Sequence, residues 1–546
     1  MEKIMVRSAD VFVVGAGMAG LRAAREAVHN SSRVIVAMKG KRSASREIMG
    51  FCAPVSPSDS YELFAEDLKR SGCGINNEQL IDTLVHESRK QVTEFEKMGF
   101  VFDSKNGEYH LQSPLGSSVP RIVHQEALTG TRLMDLLYAD CVENGVEFLD
   151  DFTVLDLLVD DKTVVGAIGI DRKEGRFVAV KAKAVVLATG GCSDIYPIST
   201  YPKGIAGDGY AMAYRAGAEL VDMEFQQYEP CCAIYPDTVL GDVVCTTMLR
   251  LGAKLTNAAG EDLIEKHGLS LSKLQKDTLS KAIAKEIASG VRSEHGGVLF
   301  DATVLPEKVV VVEHNVFYDP LKAGGVDLTR EAVEVAPVAH TTLGGIAIRP
   351  DTSCDVQGLF AAGEVIGGLH GANRIGGCAG AETVSFGAIA GTSASDYAKN
   401  AQFADSFDSV LEKDVLCRAA YFGEDKHDMI NTVSERLSTL VGKALGLFKN
   451  DADLESALKE LDVLCNQLSA VKVADINAAE ALFSLKNKLC AAKMQLLSAL
   501  SRKESRGGFF RSDYPELSEE KFNNYIKRVD NAMIIEKRDS GIVWRE

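Results

Sequence analysis

The chain has 546 residues, 46% of them hydrophobic and 25% charged. That composition excludes a disordered, collagen-like or fibrous chain, and the length corresponds to three or four domain-sized units. Lys and Arg number 60 against 77 Asp and Glu, a net charge of −17, which leaves no basic footprint for nucleic acid and no polybasic segment for an anionic membrane. No run approaches the roughly 20 apolar residues of a membrane span. Met1–Asp10 carries charges and no apolar signal segment, so a soluble, cytoplasmic protein is expected. The twelve cysteines include no CxxC pair, which predicts buried thiols rather than a cluster or zinc site within this chain.

Asp10–Val14 reads as a short buried strand, Gly17–Val28 as a helix and Val34–Met38 as a second strand. Strand pairs are predicted at Thr153–Val159 with Val164–Ile170, and at Phe177–Val180 with Ala184–Ala188. Strands alternating with helices at the front predict an α/β fold with a parallel sheet. Proline is absent between Asp351 and Tyr514, and Leu454, Leu458, Leu461, Leu464 and Leu468 form one helical stripe. A helical bundle over about 405–500 is therefore predicted, with the leucines as its core.

Gly15-Ala16-Gly17-Met18-Ala19-Gly20 is a GxGxxG run between the first strand and the first helix. Gly15 allows the tight turn, Gly17 lets backbone approach a pyrophosphate, and Gly20 lets helix pack on strand. The helix N-terminus then offers free N–H groups to phosphate. The acidic residue expected some twenty positions on is missing, since the second strand ends in Met38-Lys39-Gly40, which argues against NAD. Three further segments fit a nucleotide: the strand running into Gly190-Gly191, the turn Gly207-Asp208-Gly209 leading into a helix, and Ala362-Gly363-Glu364. Together they resemble the FAD-binding segments of two-dinucleotide-fold flavoproteins. Glu364 suits a ribose or ribityl hydroxyl, and Asp208 is expected near the flavin.

His370-Gly371-Ala372-Asn373-Arg374-Ile375-Gly376-Gly377 resembles the HGANRLGG signature of the succinate dehydrogenase and fumarate reductase flavoprotein subunits. L-aspartate oxidase and the adenylylsulfate reductase α-subunit belong to the same superfamily. His340-Thr341-Thr342-Leu343-Gly344-Gly345-Ile346 is similar to its H-x-T-x-GGI, and Glu504–Pro515 to its ESRG-x-H-x-R-x-DYP segment. The resemblance spans residues 9 to about 520. It implies a Rossmann-like FAD domain over 1–222 and 341–402, an inserted α+β capping domain over 223–340, a helical domain over 403–500 and a C-terminal segment over 501–546. It also implies FAD as cofactor, with Lys39, Arg374 and Ala379 added to the glycine segments as its contacts.

The chemistry so implied is hydride transfer between flavin N5 and a carbon beside a carboxylate, in a dry pocket with a cation on the carboxylate and a proton donor opposite. Arg374 can grip a carboxylate through two parallel N–H bonds, and His340 adds a donor. Three departures from the family pattern alter the expectation. No histidine lies between His29 and His86, where the family carries its flavin-linking histidine, so non-covalent FAD and reductive chemistry are expected. The family's FHPT becomes Tyr228-Glu229-Pro230-Cys231, which sets an acid where a second substrate carboxylate would bind and disfavours fumarate itself. The family's GARGEGG loop becomes Thr246–Ala253, from which Arg250 is taken as the proton donor. An iron–sulfur or other electron-transfer subunit is the expected partner. The alternatives are an aspartate-oxidase-like enzyme, with Glu229 meeting the substrate amine, an adenylylsulfate-reductase-like subunit, and a non-catalytic flavin-bearing electron carrier.

Overall fold

The first strand sets the architecture, because its second half, Val11–Val14, is apolar on both faces and must lie inside a sheet. In the computed structural model, which describes residues 4–40, 43–423 and 427–540, Met5–Val14 pairs in parallel with Val34–Met38 on one side and Arg176–Leu187 on the other. Glu147–Asp150 extends the sheet in parallel beyond Val34–Met38. The helix Met18–His29 follows the first strand directly and buries Met18, Leu21, Ala23, Ala24 and Ala27, packing on the sheet and on the helices Cys378–Asn400 and Thr129–Glu143.

Two expectations are corrected here. The segments Phe177–Val180 and Ala184–Ala188 are one strand, Arg176–Leu187. The polar step Lys181-Ala182-Lys183 reads as a break, yet the whole strand pairs with Met5–Val14. Only its other neighbour changes, from Thr163–Asp171 to Leu359–Ala361. Nor is the sheet wholly parallel, because Phe152–Asp160 and Thr163–Asp171 join it as an antiparallel hairpin. A connection this short can join only antiparallel strands.

A second sheet orders Gln226–Ala233, Val333–Thr342, Val298–Asp301 and Lys254–Thr256, all antiparallel. It has its own core, including Leu255, Leu279, Ile283, Val298 and Phe300, and the helix Lys276–Ser289 lies on it. Late in the chain stand the helices Phe407–Ala419, His427–Ala444, Asp451–Ser469 and Ile476–Ser501. Leu454, Leu461, Leu464 and Leu468 of the predicted stripe are buried, and Leu458 packs at its edge. The last of these helices packs on Asp208–Ala216, so the bundle shares one core with the large sheet. The hairpin Phe522–Val529 with Ala532–Asp539 returns to pair with Leu220–Val221.

Lys449 is buried where Phe448–Lys449 pairs with Phe510–Arg511. Its ammonium donates to Gly446 O at 2.9 Å and lies 5.1 Å from the Phe509 ring centroid. Burial, with the Arg511 charge beside it, lowers it to about 7. The unfolded chain keeps that proton up to about 10.5. The folded state therefore carries the full cost below pH 7, and the cost fades as pH rises from 7 to 10.5. Lys449→Met should raise the melting temperature at about pH 6.5, with a clearly smaller gain at about pH 9.5. Melts of both proteins at the two pH values check this, and an equal gain at both would refute it.

Candidate active site

The carboxyl ends of the parallel strands carry the glycine turns. Gly15 has φ +113°, and a Cβ there would lie 2.3 Å from Ala188 O. This turn begins the helix Met18–His29, whose N-cap Gly17 gives no side-chain cap. The helices Asp208–Ala216 and Cys378–Asn400 likewise start at uncapped glycines, Gly207 and Gly377. Three helix N-termini thus bring partial positive charge to one edge of the sheet, which favours phosphate. Ala16 and Ala19 belong to the first of these turns, and Ala379 lies in the first turn of the third helix. Thr189 Oγ1, beside Gly190 and Gly191, is buried without a partner. Open helix ends, a close-packed glycine cradle and an orphaned hydroxyl fit a bound dinucleotide.

The polar residues assigned to that cofactor are anchored around it. Lys39 Nζ lies 2.9 Å from Asp208 Oδ2, and Asn487 Nδ2 donates to Asp208 Oδ1 at 2.8 Å. Glu364 accepts the Thr342 N–H at 3.0 Å and packs on Gly191, where a Cβ would lie 2.4 Å from Glu364 Oε1. Burial pushes the Glu364 carboxyl up to about 8. Of the stretch matching the family's flavin-linking segment, Lys41 and Arg42 lie outside the described residues. Ala44 opens a short 3-10 turn, and the Ser45 hydroxyl accepts the Met18 N–H at 3.1 Å.

Above this edge the second sheet brings together Glu229, His340 and Arg374, with a residue that sequence reasoning missed, Lys276. Glu229 lies on the strand Gln226–Ala233, and Lys276 opens the helix that packs on it. The Lys276 ammonium donates to Glu229 Oε2. Glu229 is buried and Lys276 partly so, with side chains 6% and 17% exposed. His340 Nε2 lies 4.0 Å from the same Glu229 oxygen, and His340 Nδ1 is 2.7 Å from Thr200 Oγ1. The Tyr201 ring meets the imidazole edge-on at 5.3 Å. Burial, then the charges of Lys276 and Arg374, hold His340 well below the usual histidine range. It is therefore neutral at pH 7.

Arg374 is buried, its Nε has no partner, and the guanidinium's one hydrogen bond among the described residues is a long one to Ile375 O, 3.4 Å. Its guanidinium is left for a ligand. Gln227 Nε2 fixes the backbone behind it, donating to Asn373 Oδ1 and Arg374 O at 3.0 Å each. Asp277 faces Asn373, is pushed up chiefly by burial, and has an unpartnered buried Oδ1. Arg250 is not part of this group. It ends a short helix in the second sheet's surroundings, and its Nε donates to Leu271 O at 2.9 Å. One residue earlier, Leu249 points inward and is buried.

A family model described as FAD binding domain matches residues 10–379, and one described as fumarate reductase flavoprotein C-term matches residues 434–537. The chain belongs to the fumarate reductase flavoprotein family, and it is an FAD-dependent oxidoreductase. Among its relatives, an uncharacterised FAD-dependent oxidoreductase of Methanocaldococcus jannaschii is 34% identical, over 98% of each chain. A fumarate reductase (CoM/CoB) subunit of Methanothermobacter marburgensis is 33% identical over 93% of this chain and 94% of its own. A solved structure of Escherichia coli quinol fumarate reductase superposes with a TM-score of 0.92 at 26% identity, over 100% of this chain and 98% of that one. Among the described residues no helix is long and apolar enough to cross a membrane.

The cradle itself can be tested. A Cβ on Gly20 would lie 1.9 Å from Gly15 O, a backbone atom, so Gly20→Ala must push the helix N-terminus off the turn. Overpacking of that kind costs about 1–3 kcal/mol, or roughly ten- to a hundredfold in FAD affinity. FAD titration of the deflavinated protein measures it, and an unchanged affinity would exclude this turn from the cofactor site.

Proposed function

We propose that this enzyme reduces a carbon–carbon double bond beside a single carboxylate, with Arg374 holding the carboxylate and Lys276 donating the proton. The observation that carries the reading is the buried Lys276–Glu229 pair beside the unengaged guanidinium of Arg374. Bound FAD supplies two-electron hydride chemistry. The chain supplies the rest. Arg374 presents a bidentate fork to the carboxylate and stabilises the charge that grows there. The Lys276 ammonium, oriented by Glu229, is the proton donor in this reading. Neutral His340 presents its Nε2 to the space between Glu229 and the substrate.

The same pair argues against fumarate and succinate as good substrates. A second carboxylate beside Glu229 would meet a like charge whose cation is already engaged. Reoxidation of the dithionite-reduced holoenzyme by acrylate, crotonate and fumarate tests this. A monocarboxylate should be the fastest acceptor, and a kcat/KM for fumarate above about 10⁵ M⁻¹s⁻¹ would overturn the reading.

Arg374→Ala should lower the turnover of the fastest acceptor roughly 10²–10³-fold while FAD stays bound. Arg374→Lys should not restore it, because a point charge cannot replace the fork. Lys276→Met should cost a comparable factor, with the loss in kcat. FAD loss in Arg374→Ala would instead make that arginine a cofactor ligand.

FAD is held without a covalent bond, since Ala44 stands where the family's flavin-linking histidine belongs. Acid precipitation should leave the yellow colour in the supernatant, and stoichiometric colour in the pellet would contradict this. Electrons reach the flavin from a partner protein, of which an iron–sulfur subunit is the type expected. Support comes from the relative in Methanothermobacter marburgensis, which is named as one subunit of a fumarate reductase.

A further inference from the structure

A lysine that donates a proton at every turnover must be recharged from water, and Lys276 is held against the buried carboxylate of Glu229. The side chains behind them lead outward in three steps. Glu229 Oε2, the oxygen that Lys276 holds, is 4.0 Å from His340 Nε2. His340 Nδ1 is 2.7 Å from the Thr200 hydroxyl. Thr200 in turn lines an open cavity of about 440 Å³ with Ser43, Glu47, Tyr201 and Asp242. Such a space is polar and far larger than the ~10–15 Å³ that one water needs.

We propose that Thr200, His340 and Glu229 form a proton relay that recharges Lys276 from water in this cavity. The proposal rests on the reading of Lys276 as the proton donor. With Nε2 facing a carboxylate, the imidazole carries its proton there and accepts the Thr200 O–H at Nδ1. Once the Lys276 ammonium has given its proton to substrate carbon, the remaining amine no longer attracts Glu229. The carboxylate is then free to close the 4.0 Å gap to Nε2–H. Glu229 takes that proton and passes it to the Lys276 amine. The imidazole takes the Thr200 proton at Nδ1, and a cavity water replaces it. One proton enters from water for each one delivered and no electrons move; the imidazole is left as its Nδ1–H tautomer and must exchange back to Nε2–H before the next turnover. Tyr201 keeps the imidazole in line, stacked edge-on at 5.3 Å and tied through its hydroxyl to Thr341 Oγ1 at 2.8 Å.

The test uses the full-length FAD-loaded enzyme with the fastest acceptor among acrylate, crotonate and fumarate. Thr200→Val keeps the shape and removes the hydroxyl. It should lower kcat about tenfold or more, with little change in KM or FAD content, and imidazole added to the buffer should restore much of the loss. The solvent deuterium isotope effect on kcat should rise, and Thr200→Ser should keep the wild-type rate. A Thr200→Val kcat within about twofold of wild type would overturn the relay. So would a loss that imidazole does not relieve or that falls on KM, since Thr200 would then only hold His340 in place. Should no acceptor reoxidise the flavin, or should Lys276→Met keep the wild-type rate, the reading of the site falls and the relay with it.

Discussion

A carboxylate taken out of water must find a cation, and the site is arranged around how Glu229 finds one. Leaving one member of a buried ion pair alone costs about 3–5 kcal/mol, so Glu229 is tenable only with Lys276 against it. Lys276 is the first residue of Lys276–Ser289, and this helix packs on the strand that carries Glu229. The pair therefore pins the helix end over the site. It also brings a positive charge close to His340, which with burial and Arg374 keeps that imidazole neutral. With an acid in place of the family's histidine, the site holds one engaged cation, one neutral ring and one free guanidinium.

A second buried charge network holds the platform beneath. Arg502 donates to Glu224 and to Glu504 at 2.7 Å each, and Arg506 donates to Glu504 at 2.8 Å. Asn523 Nδ2 donates to Asp222 Oδ2 at 2.6 Å. Burial and the Glu224 charge push Asp222 up to about 8, so this corner keeps a proton at neutral pH. The network ties the chain after Ile476–Ser501 to the stretch Asp222–Glu224, from which the second sheet begins. The segment that resembles ESRG thus acts in this chain as a tether. Phe509 stands where the family's pattern has histidine, and it packs edge-on against Phe225 at 5.8 Å.

What could be read from the sequence was what local chemistry dictates. The GxGxxG turn was legible because Gly15 needs positive φ and Gly20 has no room for a Cβ. Val34–Met38 was legible as an unbroken apolar run. The strand through Lys181 and Lys183 was misread because those lysines look like a turn. In the structure Lys183 instead pairs with Asp10 at 2.8 Å. Lys276 carried no local signal: it lies 47 residues from its partner, in a stretch shared with Lys273, Lys281 and Lys285, and only the docking of helix on sheet joins the two. Arg250 drew attention because it lies in the stretch matching the family's arginine loop, seven residues before Asn257. The register there turns Leu249 inward and sends Arg250 out to Leu271 O.

Charge counting in the pocket carries the substrate argument furthest. Arg374 and Lys276 bring two positive charges, and Glu229 takes up one of them. Asp277, raised chiefly by burial, is hydrogen-bonded to Asn373 and not to either cation. One positive charge remains for the substrate. At a separation of about 5 Å and an effective dielectric of about 20, a second carboxylate facing Glu229 would cost roughly 3 kcal/mol, more than a hundredfold in binding. A neutral or hydrogen-bonding group in the same place carries no such penalty and can use the Glu229 oxygens or His340 Nε2. The discrimination the site can exert is therefore on the charge at the far end of the substrate. The end held by Arg374 is left as the HGANR stretch builds it.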